Sequence, residues 1–384
     1  MKQIRLLVVD DSSFIRRVLT RLLSEDPKLN VVATAANGQV ALSKIEQIDP
    51  DVVLLDIEMP IMNGLETLRE LRTNHARLPV IMFSTLTHPG VRETVDALLL
   101  GANDYATKPD GQNDVEHAIR RVLIPKIKMH AAKYLASTGR ARSRPAVDSV
   151  AKIPTVAVQS PPVEARSARP ETDRCPPATR PHHAAKAEII VIASSTGGPN
   201  ALARLFSQLP EDLPVPILIV QHMPALFIQP LAFRLSSQGN VIVRGAENNG
   251  APKAGEGLIA PGGKHMTIDR VRGKVCVTLN DDPPVNSCKP AADVLFESVA
   301  EVYGAASLAV VLTGMGEDGR NGCRAIKGAG GQVLVQDEDS SVVWGMPGSV
   351  TKAALADAVY PLDKMGPEIV QRISGMSREA GFER

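Results

Sequence analysis

The sequence is short of cysteine, of net charge and of long apolar runs. Its 384 residues carry 43 Lys and Arg against 42 Asp and Glu, a formal net charge of +1. No global field therefore draws the chain toward nucleic acid or an anionic membrane surface. The four cysteines, Cys175, Cys276, Cys288 and Cys323, lie far apart and form no CxxC pair. That excludes a disulfide framework and a zinc-finger spacing, and it fits a reducing cytosol, so the expected location is cytoplasmic. No stretch approaches the ~20 apolar residues of a membrane span, which excludes direct membrane insertion. Met1-Lys2-Gln3 runs straight into a strand pattern, which leaves no room for a signal peptide.

The hydrophobic share of 44% is ample for two cores, and the length makes two domains the natural expectation. Between about Pro125 and Lys186 the character changes. Pro145, Pro154, Pro161, Pro162, Pro170, Pro176, Pro177 and Pro181 recur among Ala, Ser, Thr and Arg, and aromatics almost vanish. Such a segment buries too little apolar surface to offset its ordering entropy. We divide the chain into a first domain over 1–123, a helix extension and flexible linker over 124–186, and a second domain over 187–376. The extension is expected to end near Leu135. The first domain alternates apolar runs with helical patterns in five βα units, which implies a doubly wound parallel sheet. The second is also α/β, with hairpins expected between Gly257 and Leu279.

Acids and hydroxyls end the apolar runs of the first domain. Asp56 closes Val52-Val53-Leu54-Leu55, Asp10 and Asp11 follow Ile4 to Val9, and Ser84 follows Val80-Ile81-Met82-Phe83. Lys108-Pro109, a candidate cis bond, comes after Tyr105. A lone Asp at such a place more often starts a turn. In a parallel sheet, however, these strand ends converge on one edge. Three gathered carboxylates call for a cation, and hard oxygen ligands suit Mg²⁺. Asp56 is then a nucleophile toward a phosphoryl group, with Lys108 and Ser84 on the phosphate. This set resembles the receiver domain of two-component response regulators, flavodoxin-like in fold. The resemblance implies phosphorylation of Asp56 by a histidine kinase, Mg²⁺ held by Asp11 and Asp56, and Asp10, Ser84, Tyr105 and Lys108 as acid pocket and switch.

In the second domain Ser195, His222 and Asp318 each follow an apolar run. Ser195 lies at a strand-to-helix turn, where a serine most often caps the helix. An isolated histidine such as His222 is more often structural. Together the three can act as nucleophile, general base and orienting acid. Gly314-Met315-Gly316-Glu317-Asp318-Gly319 also fits a dinucleotide-binding GxGxxG, although Glu317 and Asp318 would set negative charge against a pyrophosphate. The stretches Ser195-Thr196-Gly197-Gly198-Pro199, Gln221-His222-Met223-Pro224, Ala260-Pro261-Gly262, Asp293-Val294-Leu295-Phe296 and Thr313 to Gly319 resemble the catalytic domain of bacterial chemotaxis protein-glutamate methylesterases. The resemblance implies Ser195 as nucleophile, His222 as base and Asp318 as its orienting acid, with Thr196 and the Met315 amide in support. It further implies γ-glutamyl methyl esters on chemoreceptors as substrate, glutamine deamidation in some members, no cofactor for ester hydrolysis, and a monomer. Ser194, beside Ser195, and His265 are the competing nucleophile and base. A catalytically silent adaptor is the reading from a different class.

Overall fold

The computed structural model describes residues 3–85, 87–108, 112–139 and 185–374. The first domain runs β1 (Ile4–Val9), α1 (Ser13–Ser24), β2 (Leu29–Ala35), α2 (Gly38–Ile48), β3 (Val52–Asp56), α3 (Gly64–Asn74), β4 (Val80–Ser84), α4 (His88–Leu99), β5 (Asp104–Thr107) and α5 (Gln112–Ala118). Its five strands are all parallel, in the order β2-β1-β3-β4-β5. Every residue of β3 and β4 is buried, as continuous apolar runs between two helical layers require. Ser12 caps α1 by accepting from the Ile15 amide, and Asn63 with Glu66 forms a capping box on α3.

α5 passes through one π-helical turn, Ile119–Leu123, into α6 (Ile124–Ser137). α6 is the expected extension, but it does not simply leave the domain: Ile127 and Ala131 are buried with Leu6 and Val8 of β1. Residues 140–184, the body of the expected linker, lie outside the described residues, as does Pro109 with its expected cis bond.

The second domain runs β6 (Ile189–Ser194), α7 (Gly198–Phe206), β7 (Ile217–Gln221), α8 (Ala225–Gln238), β8 (Ile242–Gly245), β9 (Glu256–Ile259), β10 (His265–Val271), β11 (Lys274–Asn280), α9 (Ala292–Tyr303), β12 (Ser307–Val311), α10 (Arg320–Gly328), β13 (Gln332–Gln336), α11 (Met346–Lys352), β14 (Ala358–Tyr360) and α12 (Leu362–Ser374). Seven strands form one parallel sheet, β14-β13-β12-β6-β7-β9-β8. Only β10 and β11 form a hairpin in the region where hairpins were expected. β9 instead joins the main sheet, because Gly257, Leu258 and Ile259 are buried in succession rather than in alternation.

The two domains are in contact. α4 of the first packs on α7 and α8 of the second. The Tyr105 ring lies 4.9 Å from that of buried Phe227, and Arg234 makes two 2.6 Å contacts with the Asp96 carboxylate. Lys133 of α6 donates to the Ser341 carbonyl. Buried apolar side chains form one continuous cluster that includes Leu7 of β1 and Ile190 of β6.

Candidate active site

β12, β6 and β7 are neighbours at the centre of the second sheet, and each ends in a candidate residue. Asp318 lies in the loop beyond β12, Ser195 follows β6, and His222 follows β7. The turn after β6 needs Gly197, whose φ of 78° is left-handed and whose absent Cβ would meet Val342. Gly314 lies so close to Ser195 that an added Cβ would come within 2.9 Å of the serine Cβ. Ser195 is partly exposed and lines a cleft of about 350 Å³ together with Thr196, His222, Met315 and Asp318. Ser194 is fully buried and donates to Gln221 Oε1 at 2.7 Å. Gln221 Nε2 in turn donates to the carbonyl oxygens of Ser195 and His222, which ties the two strand ends together.

His222 Nε2 is 2.8 Å from Asp318 Oδ2. The carboxylate is further held by the amides of Ala292, Asp293 and Gly319. Burial works to raise the Asp318 pKa, but the bonds from His222 and the amides of Ala292 and Asp293 hold it below the usual carboxylate range. For His222, burial pulls the pKa down, and the hydrogen bonds to Asp318 and Cys288 outweigh it, pushing it up to about 9. With Nε2 engaged by Asp318, Nδ1 is the remaining ring nitrogen, and it lies 3.8 Å from Cys288 Sγ. No hydrogen bond joins Ser195 Oγ to His222 among the described residues. His265 is fully buried away from this chemistry: its Nδ1 accepts from the Ala291 amide, and its Nε2 faces the Pro283 carbonyl.

The first domain gathers its own set. Lys108 Nζ lies 2.8 Å from both Asp10 Oδ2 and Asp56 Oδ2. One oxygen each from Asp10, Asp11 and Asp56 lies within 4.8 Å of the others, an all-oxygen donor set that fits Mg²⁺. Burial raises the Asp56 pKa to about 6 against the opposing pull of Lys108. Ser84 does not point free into this pocket, since its hydroxyl is 2.7 Å from Thr94 Oγ1 on α4. Tyr105 packs against Phe227 of the other domain instead of joining the acids.

Residues 190–369 match the CheB methylesterase family model, and residues 6–120 match the response regulator receiver domain. A protein-glutamate methylesterase/protein-glutamine glutaminase of Trichodesmium erythraeum is 45% identical over 97% of this chain and 100% of its own length. A protein of the same name from a Nocardioides species is 44% identical over 97% and 96%. The Thermotoga maritima CheB methylesterase catalytic domain, a crystal structure, is 40% identical with a TM-score of 0.48, covering 49% of this chain and 99% of that one. The chain belongs to the protein-glutamate methylesterase/protein-glutamine glutaminase family.

Membership in this family removes the dinucleotide reading of the Gly314 loop, and the geometry supplies the reason. The loop turns Asp318 inward, where its carboxylate accepts from the Gly319 amide at the start of α10 and from the Ala292 and Asp293 amides of α9, which sets a negative charge where a pyrophosphate would lie. Several residues of this methylesterase site had no sequence motif of their own. Asn286 donates to Asp293 at 2.8 Å and reaches Asp318 at 3.4 Å, while Asp293 Oδ1 accepts from the Gly322 amide of α10. Asp293 and Asp318 thus cap each other's helices. Gln221 and Asp293 stood inside stretches that carried the resemblance, which was the only signal for them. The cleft also has walls from the receiver and the helix that extends it: Leu98, Tyr105 and, from α6, Lys126 line it with Ser195 and His222.

Proposed function

We propose that this chain hydrolyses glutamate γ-methyl esters on chemoreceptors, with Ser195 as nucleophile, His222 as general base and Asp318 as orienting acid. The observation that carries the reading is the meeting of three strand ends at one cleft, with His222 braced on Asp318 and Ser195 open to solvent. Ser195 Oγ attacks the ester carbonyl while His222 Nδ1 takes its proton. The oxyanion falls to the amides of Thr196 and Met315, neither of which donates a backbone hydrogen bond among the described residues. The His222 proton leaves with methanol. Water, activated by the same nitrogen, then releases glutamate from the acyl-enzyme. Glutamine deamidation, part of the relatives' name, follows the same path with ammonia as a poorer leaving group.

The receiver controls this cleft. Asp56 accepts a phosphoryl group from a histidine kinase, Lys108 offsets its charge, and Ser84 donates to it. Asp11 and Asp56, beside Asp10, would hold Mg²⁺, which would offset the negative charge of the phosphoryl group. Ester hydrolysis itself uses no cofactor. The enzyme acts as a cytoplasmic monomer. No helix among the described residues is long and apolar enough to cross a membrane. The experiment is release of methanol, and separately of ammonia, from a methylated receptor fragment, with and without a small phosphodonor. Absence of methanol release in both conditions would sink the reading.

A further inference from the structure

Val285 and Cys288 exchange both backbone hydrogen bonds, at 3.1 and 2.8 Å, across a two-residue turn between β11 and α9. Its central residues, Asn286 and Ser287, have φ of 52° and 62°. Two left-handed residues in succession are the mark of a type I′ turn, where glycine is easiest and Asn is well tolerated. The turn lies on the cleft wall and reaches both edges of the His222 ring. On the Nδ1 edge, Cys288 Sγ is 3.8 Å away. On the Nε2 edge stands Asp318, and Asn286 Nδ2 donates to its Oδ1 at 3.4 Å and to Asp293 Oδ2 at 2.8 Å. Asp318 and Asp293 are 1% and 2% exposed, so two like charges share one poorly solvated place. Burial raises the Asp293 pKa and the Asp318 charge adds to the rise, while the Gly322 amide and Asn286 oppose it. Cys323 of α10 and Glu297 of α9, the other ionisable groups that feel these acids, bring no positive charge. Lys126 and Glu317 stand on the same cleft wall without bonding to either acid. Among the described residues, His222 and Asn286 are the only side chains that donate to Asp318 or Asp293.

We propose that Asn286 is a positioning residue, whose carboxamide bridges the Asp293 and Asp318 carboxylates and holds Asp318 against His222 Nε2. The consequence for hydrolysis rests on His222 being the general base, as proposed above; the hold on the pair does not. One amide nitrogen serves both acids, so the two charges sit side by side without turning Asp318 Oδ2 off the imidazole. The held carboxylate keeps the ring in the tautomer that leaves the Nδ1 lone pair toward the cleft. Glycine would form the same turn, so the backbone conformation does not by itself call for a carboxamide. Asn286 touches neither His222 nor Ser195 among the described hydrogen bonds, and its effect passes through Asp318.

The test uses the full unphosphorylated chain and two readouts. One is the pH dependence of kcat/KM for methanol release. The other is the titration of the His222 ring by NMR of histidine-labelled protein, with the signal assigned by its loss in His222→Gln. Asn286→Gly keeps the turn and removes the carboxamide. It is expected to move both the rate limb and the His222 titration from about 9 toward the ordinary histidine range by about one pH unit or more, a tenfold loss in proton affinity. In an Asp318→Asn background the same change should add no further shift, because the group it acts through is gone. Asn286→Ala, which also strains the turn, should show the same shift with a lower melting temperature. A wild-type titration in Asn286→Gly, whatever its melting temperature, overturns the proposal, as does a full further shift in the Asp318→Asn background. Loss of the fold in both Asn286→Gly and Asn286→Ala would make Asn286 a structural residue and overturn it as well. If the wild-type chain releases no methanol, the esterase reading fails, and the NMR titration alone decides whether Asn286 holds the His222–Asp318 pair.

Discussion

With His222 as the proposed base, one proton separates its resting form from its working one. Its pKa is raised from 6.5 to about 9, so the folded state gains from the charged imidazole facing Asp318. That gain is fully present below about pH 6.5 and is lost as pH rises through about 9. Activity runs the other way, because only the neutral ring accepts a proton. The kcat/KM of the unphosphorylated chain should therefore climb toward about pH 9. Asp318→Asn should cut kcat by up to ~10⁴ and draw the residual limb back toward the ordinary histidine range. A limb that stays in place in Asp318→Asn would separate His222 from the rate. Ser195→Ala should reduce methanol release to background. Ser194→Ala should keep turnover but lose about 1–3 kcal/mol of stability, since Gln221 Oε1 is left buried without its donor. Were Ser194→Ala the dead protein, the nucleophile would move by one residue. His222→Ala should cost roughly 10²–10⁴ in rate. His265→Ala should instead lower the melting temperature, because its ring nitrogens serve the buried Ala291 amide and the Pro283 carbonyl.

Helix α4 links the phosphorylation site to the cleft. Thr94 Oγ1 donates to the Gly90 carbonyl at 2.6 Å, so it accepts the Ser84 proton in the 2.7 Å contact between them. A phosphate at Asp56 competes for that same proton, and α4 loses a tether to β4 as Ser84 turns away. The other side of α4 rests on α7 and α8, where Asp96 meets Arg234. A pair this exposed contributes up to ~1 kcal/mol, which equals about fivefold in a closed-to-open ratio. Arg234→Ala is therefore expected to raise the unphosphorylated esterase rate by up to about fivefold. It should leave the fully phosphorylated rate unchanged. A lower basal rate in this variant would mean that the contact serves the active form instead.

For the molecule as a whole, the proposed role of the receiver is that of a cover. Tyr105 and Lys126 line the same cleft as Ser195, and the apolar cluster runs through the domain boundary. A closed form favoured by only ~2 kcal/mol suppresses activity about thirtyfold, since 1.4 kcal/mol is a factor of ten. The domain from about Lys186 onward should therefore outpace the unphosphorylated intact chain, and Asp56→Asn should ignore a phosphodonor. An isolated domain slower than the unphosphorylated whole would make the receiver an activator, and the cover would have to be abandoned.

Much of this was legible along the chain. Continuous apolar runs ending in Asp10, Asp56, Ser195 and His222 are local patterns, and a parallel sheet brings such ends to one edge whatever the loops do. The helix caps at Ser12 and Asn63 are local as well. What tertiary structure decided depends on residues far apart in sequence, where periodicity carries no information. It separated buried Ser194 from partly exposed Ser195, placed His265 among backbone groups, and set Tyr105 against Phe227. It also brought Cys288 Sγ to within 3.8 Å of His222 Nδ1, a contact the cysteine spacing does not signal. Contacts of this kind arise only when two elements pack, because packing sets the distance between side chains that the backbone alone leaves free.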